Sequence, residues 1–235
     1  MLYTEVDLND MTEISVVVPV HDENENIKPF LQRTEKILNS IGKTYEIIFS
    51  LDPSSDNTEK IILEEIEKNK NIKLLVFSRR FGQPAATIAG ILNCKGSYCV
   101  VIDVDLQDPP EIIEQLYKKI IAGYEVVYAK RKDRKGETIF KKIISSFGYF
   151  LINKLSDIRI PKDTGDYRII SRKVINHLKE LNESHGFLRG MVAFVGFKQT
   201  FIEYDRDHRR AGKSKYNKFL GSLKIGFNGL IGFSS

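Results

Sequence analysis

Val100–Glu111 reads VVIDVDLQDPPE, and the order of residue types in it sets the frame for the rest of the chain. An apolar run from Tyr98 to Ile102 delivers two carboxylates, Asp103 and Asp105, after which Pro109 and Pro110 open a new helix. Alternation along an extended strand places both aspartates on one side. Two acids at the end of a buried strand are costly unless something positive joins them. A hard divalent cation meets that need, because Mg²⁺ or Mn²⁺ takes one or two protein carboxylates and completes its shell with water and phosphate oxygens. The pair then reads as half of a metal site whose other half is a diphosphate. The plainer reading, a solvated strand end or a helix N-cap, is the commoner meaning of a bare D-x-D, and the flanking chain argues against it here.

Upstream, strands and helices alternate. Ile14–Val20 (ISVVVPV) is a continuous apolar run of the kind found in parallel strands covered on both faces. Asn24–Ile41 follows with Ile27, Leu31, Thr34, Ile37, Leu38 and Ile41 at helical spacing. Tyr45–Leu51 reads as the second strand, and Asp52–Thr58 as a turn that caps the helix from Thr58 to Lys68. Ile72–Phe77 is the third strand, Gln83–Asn93 a short small-residue helix, and Tyr98–Ile102 the fourth strand. Such alternation with short connections predicts an open, mostly parallel α/β sheet with right-handed crossovers. Ligands on such sheets bind beyond the carboxyl ends of the strands. That rule gathers His21–Glu23, Asp52–Asp56, Arg79–Gln83 and Asp103–Asp108 onto one rim. No G-x-G-x-x-G follows the first strand and no G-x-x-x-x-G-K occurs, which disfavours a dehydrogenase or a P-loop NTPase.

The 235 residues suffice for one α/β domain or one and a half, and the apolar content of 42% with 29% charged residues describes a folded, soluble body. A formal charge of +5 favours an anionic partner: nucleic acid, a phosphorylated substrate or a membrane surface. Seven basic and two acidic residues fall between Asp205 and Lys224, so the surplus is concentrated in one loop; with no binding motif beside it, nucleic acid is poorly supported. Cys94 and Cys99 lack metal or redox spacing and read as core filler in a reducing cytoplasm. Met1–Glu13 is polar and acidic, so no signal peptide is expected before the first strand, and no apolar window is long enough to span a bilayer.

Eight blocks in order then carry a resemblance: VVVPVHDEN at 16–24, LDPSSDNT at 51–58, SRRFGQPAATIAG at 78–90, DVDLQDPPE at 103–111, GYEVVYAKR at 123–131, DTGDYRIISRKV at 163–174, FLRGMVAFVGFKQ at 187–199 and RDHRRAGKSKY at 206–216. From Ile14 onward the chain resembles the family 2 glycosyltransferases with a GT-A (Rossmann-like) fold, and among them the polyprenyl-phosphate glycosyltransferases that include bactoprenol glucosyltransferases and dolichol-phosphate mannose synthases. The resemblance implies that Pro19, Glu23 and Asp52 hold the base and ribose of a nucleotide, and that Asp103 and Asp105 bind Mg²⁺ or Mn²⁺, with Asp105 the more direct ligand. It places Asp166 where inverting members keep a catalytic base; a helix or turn cap is the plainer alternative. Arg206 and Arg209 match a loop that closes over phosphate, a purpose Lys215 would serve equally, although a solvated basic loop has the same composition.

Some positions depart from the family pattern. Leu51-Asp52-Pro53-Ser54 stands where Asp-Asp-Gly-Ser is usual, which removes one acidic contact to the base. Asp22 replaces a common Asn, and His21 replaces an aromatic residue; His21 reads either as a base-stacking side chain or as packing. His177, His185 and His208 form no metal spacing.

In the second half, Thr138–Leu155 reads as an amphipathic helix, and packing against the domain is its default explanation. Tyr216–Phe233 combines Lys218 and Lys224 with Phe219, Leu223, Phe227, Leu230 and Ile231, a pattern suited to a helix lying in the headgroup layer. The expectation is a catalytic domain over residues 1–204 and a basic loop with an amphipathic juxtamembrane segment over 205–235, truncated before the membrane-spanning helices into which relatives continue. The implied activity is metal-dependent, inverting transfer of a hexose, glucose by the resemblance, from a UDP-sugar to polyprenyl (undecaprenyl) phosphate at the cytoplasmic face of a membrane. The implied partners are a nucleotide-diphosphate sugar, a polyprenyl phosphate and the membrane surface, with a homo-oligomer within the family's habits and no nucleic acid. GDP-mannose as donor, a non-lipid glycan as acceptor, and a non-catalytic nucleotide-sugar binder remain as alternatives.

Overall fold

The computed structural model describes residues 12–132, 164–181 and 188–207. β1 (Ile14–Val20) is buried at every position, as a central strand covered on both faces must be. It pairs in parallel with β2 (Tyr45–Leu51) on one side and with β4 (Tyr98–Val101) on the other, and β2 pairs in parallel with β3 (Ile72–Val76). β5 (Val126–Arg131), β6 (Thr164–Ser171) and β7 (Gln199–Tyr204) complete a seven-stranded sheet of order β3-β2-β1-β4-β6-β5-β7. β6 is antiparallel to both of its neighbours, β4 and β5, whereas β7 runs parallel to β5. One reversed strand therefore sits inside an otherwise parallel sheet among the described residues.

The period-2 alternation of β1 divides it between two cores. Val16 and Val18 face a cluster built with Ile27, Phe30 and Leu31 of α1 (Asn24–Ile41), Ile62 of α2 (Thr58–Lys68) and Ile113 and Leu116 of α4 (Ile112–Ile121). Val17 faces a cluster with Ile88 and Ile91 of α3 (Gln83–Asn93), Val174 and Leu178 of α5 (Arg172–Glu180) and Met191 and Val192 of α6 (Leu188–Val195). α3 lies close to the sheet because Gly90 has no side chain: a Cβ there would collide with Val17 Cγ1 and Ser50 Oγ. Cys94 and Cys99 are both buried and unbridged in this second core, as core filler should be.

At the amino-terminal edge of the parallel strands, Glu46 is 2% exposed. Its carboxylate accepts hydrogen bonds from Ser15 Oγ and the Lys95 backbone N–H, both at 2.6 Å, and pairs with the Lys73 ammonium. A buried charge so surrounded is compensated. Those interactions hold the Glu46 carboxyl below the usual carboxylate range although burial, the largest single influence, works to raise it.

One expectation needs adjusting. β3 and β4 end at Val76 and Val101, one residue earlier than their apolar runs. Asp103 and Asp105 therefore lie in the turn beyond β4, and strand alternation does not orient them. The bend is made by Leu106, which adopts φ +59° although it is not glycine. The turn before α2 caps that helix as expected, through Asp56, whose Oδ1 accepts the Thr58 N–H at 2.9 Å. The expected Thr138–Leu155 helix, the Tyr216–Phe233 segment, Arg209, Lys215, His185 and His208 lie outside the described residues. Among the described residues, no helix is long and apolar enough to cross a membrane.

Candidate active site

The reversed strand is what assembles the site. β4 and β6 pair from Tyr98↔Ser171 to Val101↔Arg168, and just past that end of the pairing Asp166 lies near enough for its charge to act on the Asp103 carboxyl. The amino-terminal end of β6 thus reaches the rim formed by the carboxyl ends of β1, β2 and β4, where ligands bind on such sheets. Asp103, Asp105 and Asp166, from two distant parts of the chain, meet there.

Asp103 Oδ1 accepts a hydrogen bond from Gln83 Nε2, at the start of α3, at 2.8 Å. Burial, followed by the negative charges of Asp108, Asp105 and Asp166, pushes its carboxyl up to about 7, against the opposing pull of Arg206. Asp105 is 9% exposed, and its Oδ1 accepts the Gln107 N–H at 3.1 Å. A carboxyl raised by neighbouring carboxylates marks a place short of positive charge. Among the described residues, no group of three or more His, Cys, Asp or Glu side chains is placed to hold a metal by itself. The donor set is two hard oxygen groups, which fits a Mg²⁺ or Mn²⁺ ion that takes its remaining ligands from phosphate and water.

Asp166 is held in the opposite way. Its Oδ1 accepts from Arg189 Nε at 3.1 Å and from Arg168 Nη2 at 3.4 Å. Burial works to raise its carboxyl, but the charges of Arg189, Arg168 and Arg131 and the Arg189 hydrogen bond hold it below the usual range. Arg168 is fully buried, donates to the Gly165 and Asp166 carbonyls at 2.9 and 3.1 Å, and lies 5.0 Å over the Tyr128 ring. The helix-cap alternative for Asp166 does not apply, since it belongs to β6 and the next helix, α5, is capped by Ser171.

On the other side of the rim, Asp52 is 3% exposed and accepts the Phe81 and Gly82 N–H groups at 3.0 and 2.8 Å. It fastens the loop before α3, where Gly82 takes φ +91°, ψ 163°, a region open to glycine. Asp52 therefore has a structural role in this loop, whatever it contributes to a nucleotide. Glu23 receives Asn26 Nδ2 at 2.6 Å, while its backbone N–H donates to Thr58 Oγ1 at 2.8 Å. Asp22, at φ +48°, accepts from the Ser55 N–H at 2.7 Å and so clasps the first loop to the second. Pro19 is buried in β1 beyond the point where β4 stops pairing, so its missing N–H costs no ladder bond.

Arg206 lies beside the D-x-D turn, with Nε 3.2 Å from Asp108 Oδ1. Arg209 and Lys215 are outside the described residues. Gln83, Asp108, Arg131 and Arg189 were not singled out from the sequence. Each lies in a block that carried the resemblance, yet their partners are distant in the chain, so no local spacing marked them.

Solved structures share this architecture. Glucosyl-3-phosphoglycerate synthase from Mycobacterium tuberculosis, in complex with Mn²⁺, UDP and phosphoglyceric acid, superposes with a TM-score of 0.66 at 16% identity over 93% of this chain and 76% of that one. The mannosyltransferase PcManGT from Pyrobaculum calidifontis, in complex with GDP-Man and Mn²⁺, gives 0.64 at 13% identity over 94% and 64%. The fold is that of the GT-A glycosyltransferases. Residues 15–179 match Glycosyl transferase family 2, and the chain belongs to that family and is a glycosyltransferase. It is 44% identical over 222 residues to an uncharacterized glycosyltransferase, YkcC, of Bacillus subtilis, covering 94% of this chain and 68% of that protein. It is 37% identical over 224 residues to the bactoprenol glucosyl transferase of Shigella phage SfV, covering 95% and 72%.

Proposed function

We propose that the protein transfers a hexose from a UDP-sugar to a polyprenyl phosphate, with inversion, at the cytoplasmic face of a membrane. The observation that carries this reading is the state of Asp166. Guanidinium groups hold its carboxyl low, so it is a weak proton acceptor and a good fixed negative charge. That suits an acceptor arriving already anionic, as a lipid phosphate does, better than a sugar hydroxyl that must be deprotonated. The similarity to bactoprenol glucosyl transferases supports the same acceptor and a glucosyl donor.

In this reading Asp103 and Asp105 would hold a divalent cation, which would supply positive charge against the negative charge of a departing nucleoside diphosphate. Pro19, Glu23 and Asp52 bound the nucleoside side of the rim. Arg206 lies beside the D-x-D turn to meet phosphate, with Arg209 and Lys215 as further donors. Asp166 orients the acceptor and stabilises the oxocarbenium-like sugar as the glycosidic bond breaks. A single displacement from the face opposite the leaving group gives inversion.

The test is release of nucleoside diphosphate from a panel of UDP- and GDP-sugars with Mn²⁺ or Mg²⁺, with and without a short-chain polyprenyl phosphate. Release from UDP-glucose that requires both metal and lipid phosphate is expected. Release that is indifferent to the lipid, or confined to GDP-mannose, overturns the acceptor or the donor respectively.

A further inference from the structure

Asp108 follows the D-x-D pair by three residues and is 2% exposed. Three donors from two other strands and the loop after β7 converge on it. Tyr204, on β7, donates its hydroxyl to Oδ1, and Arg206 Nε reaches the same oxygen at 3.2 Å. Arg131, at the end of β5, places Nη2 at 3.5 and 3.4 Å from the two carboxylate oxygens while its Nε donates to the Tyr204 hydroxyl at 3.3 Å. The turn itself is tied down at both neighbours, since the Asp207 N–H donates to the Gln107 carbonyl at 2.9 Å and the Tyr167 hydroxyl to the Pro109 carbonyl at 2.9 Å.

The arrangement sets two guanidinium groups side by side, which like charges resist unless a carboxylate lies between them. Among the described residues, Arg206 spends one N–H on Asp108, and Arg131 spends Nε on Tyr204 and Nη2 on Asp108, out of five N–H groups on each. Both side chains reach the surface, at 26% and 29% exposure. Arg131 also lies against Gly165, where a Cβ would stand 3.4 Å from Nη2, one residue from Asp166. The pair is therefore held between the D-x-D turn and the third carboxylate.

We propose that Asp108 is a positioning residue for the transfer: its buried carboxylate fixes Arg131 and Arg206 together at the rim, with donors left over for the phosphate groups of the substrates. This rests on reading the rim as a transferase site. Asp108 touches no substrate itself and acts through the two arginines. It also joins the loop after β7 to the metal-binding turn, so that the two phosphate-facing parts move as one.

The experiment is a double-mutant cycle in the full chain, comparing wild type, Asp108→Asn, Arg206→Ala and the double variant, with kcat and KM read on UDP-glucose, Mn²⁺ and a short-chain polyprenyl phosphate. Each single variant is expected to raise the KM of a phosphate-bearing substrate about tenfold, the loss of one charge-assisted hydrogen bond. The double variant is expected to stay near tenfold, because the second change removes what the first has already misplaced. Effects that multiply to about a hundredfold overturn the proposal, as does a KM within about twofold of wild type for Asp108→Asn. A loss confined to kcat overturns it as well, since a purely structural defect lowers the active fraction and leaves KM alone. Should Asp108→Asn not fold, Tyr204→Phe removes one donor and no charge, and an unchanged KM there counts against the proposal. If wild type turns over no sugar of the panel, the transferase reading fails by itself. The cycle is then read on binding of UDP and GDP with Mn²⁺, where additive effects still overturn the positioning role.

Discussion

Replacing Asp166 by Asn changes one atom and removes one charge, which makes it the sharpest probe of the site. The amide oxygen can still accept from Arg189 Nε and Arg168 Nη2, now at 3.1 and 3.4 Å, so the backbone of β6 has no reason to move. What is lost is the counter-charge of Arg168, a fully buried guanidinium whose other described acceptors are the Gly165 and Asp166 carbonyls. Breaking a fully buried pair costs about 3–5 kcal/mol. The Asp166 side chain is 38% exposed, so solvent screens part of the pairing and the expected loss is about 1–2 kcal/mol. That corresponds to about 2–8 °C in Tm for a chain of this size. Catalysis should suffer more, because a fixed charge at the reacting carbon contributes about 10²–10³ in kcat. The pH dependence has a definite sign. The folded carboxyl lies below its ordinary 3.8, so its contribution to stability is fully present above 3.8 and is lost as pH falls through the lower folded value. The Tm gap between wild type and Asp166→Asn is therefore flat through neutral pH and closes only in acid. Thermal melts across pH, with nucleoside diphosphate release on the same samples, measure both quantities. A folded Asp166→Asn protein with more than about a third of wild-type kcat refutes the catalytic role, and a gap that narrows near neutrality refutes the assigned ionisation.

Asp105→Ala should abolish both the Mn²⁺-induced rise in Tm and about 10² or more of the metal-dependent turnover; a Mn²⁺ response equal to that of wild type removes Asp105 from the metal site. Glu46→Gln, at the far edge of the sheet, should leave kcat unchanged and lower stability by about 1–3 kcal/mol, because Lys73 loses its buried partner. Since the folded Glu46 carboxyl lies below its ordinary 4.5, that deficit is complete above 4.5 and fades as pH falls through the lower folded value, which acid titration of the melting temperature would reveal or contradict. Gly82→Ala forces a side chain onto φ +91°, ψ 163° at about 1–3 kcal/mol. It should also loosen the loop that Asp52 fastens, raising the KM for the nucleotide sugar while sparing that for the lipid phosphate; equal effects on both would detach Asp52 from the nucleotide side.

The parallel half of the fold was legible because its signals are local. Buried runs and 3.6-residue periodicity gave β1, β2, α1, α2 and α3 with the bounds observed. Even the one-residue excess of β3 and β4 has a physical source, since the Phe77 and Ile102 N–H groups still donate to the Leu51 and Val17 carbonyls at 3.0 and 3.1 Å after strand pairing has ended. The direction of β6 had no such signal. An apolar run reads the same whichever way it is threaded, and pairing Val101 with Arg168 is a contact between remote parts of the chain. Without that reversal, nothing in the residue pattern places Asp166 on the rim, and only the family resemblance pointed to it.

The same distinction explains which chemistry could be read from the sequence. Asp103 and Asp166 are the same residue type, brought to one rim by the antiparallel pairing of β4 with β6, and they are driven in opposite directions. Asp103 is pushed up to about 7 by burial and then by Asp108 and Asp105, whereas Asp166, equally opposed by burial, is held below 3.8 by Arg189 and Arg168. An inventory of acids on a rim cannot separate them, because the difference lies in side chains supplied by the turn after β4, by β6 itself and by α6. Swapping the environments would swap the roles: a carboxyl among carboxylates calls for a cation, and one among guanidinium groups stays charged without it. The proposed transfer uses one of each, a cation-holding carboxyl beside the departing diphosphate and a charged one beside the sugar carbon. The reversed strand is the feature that lets a single rim hold both.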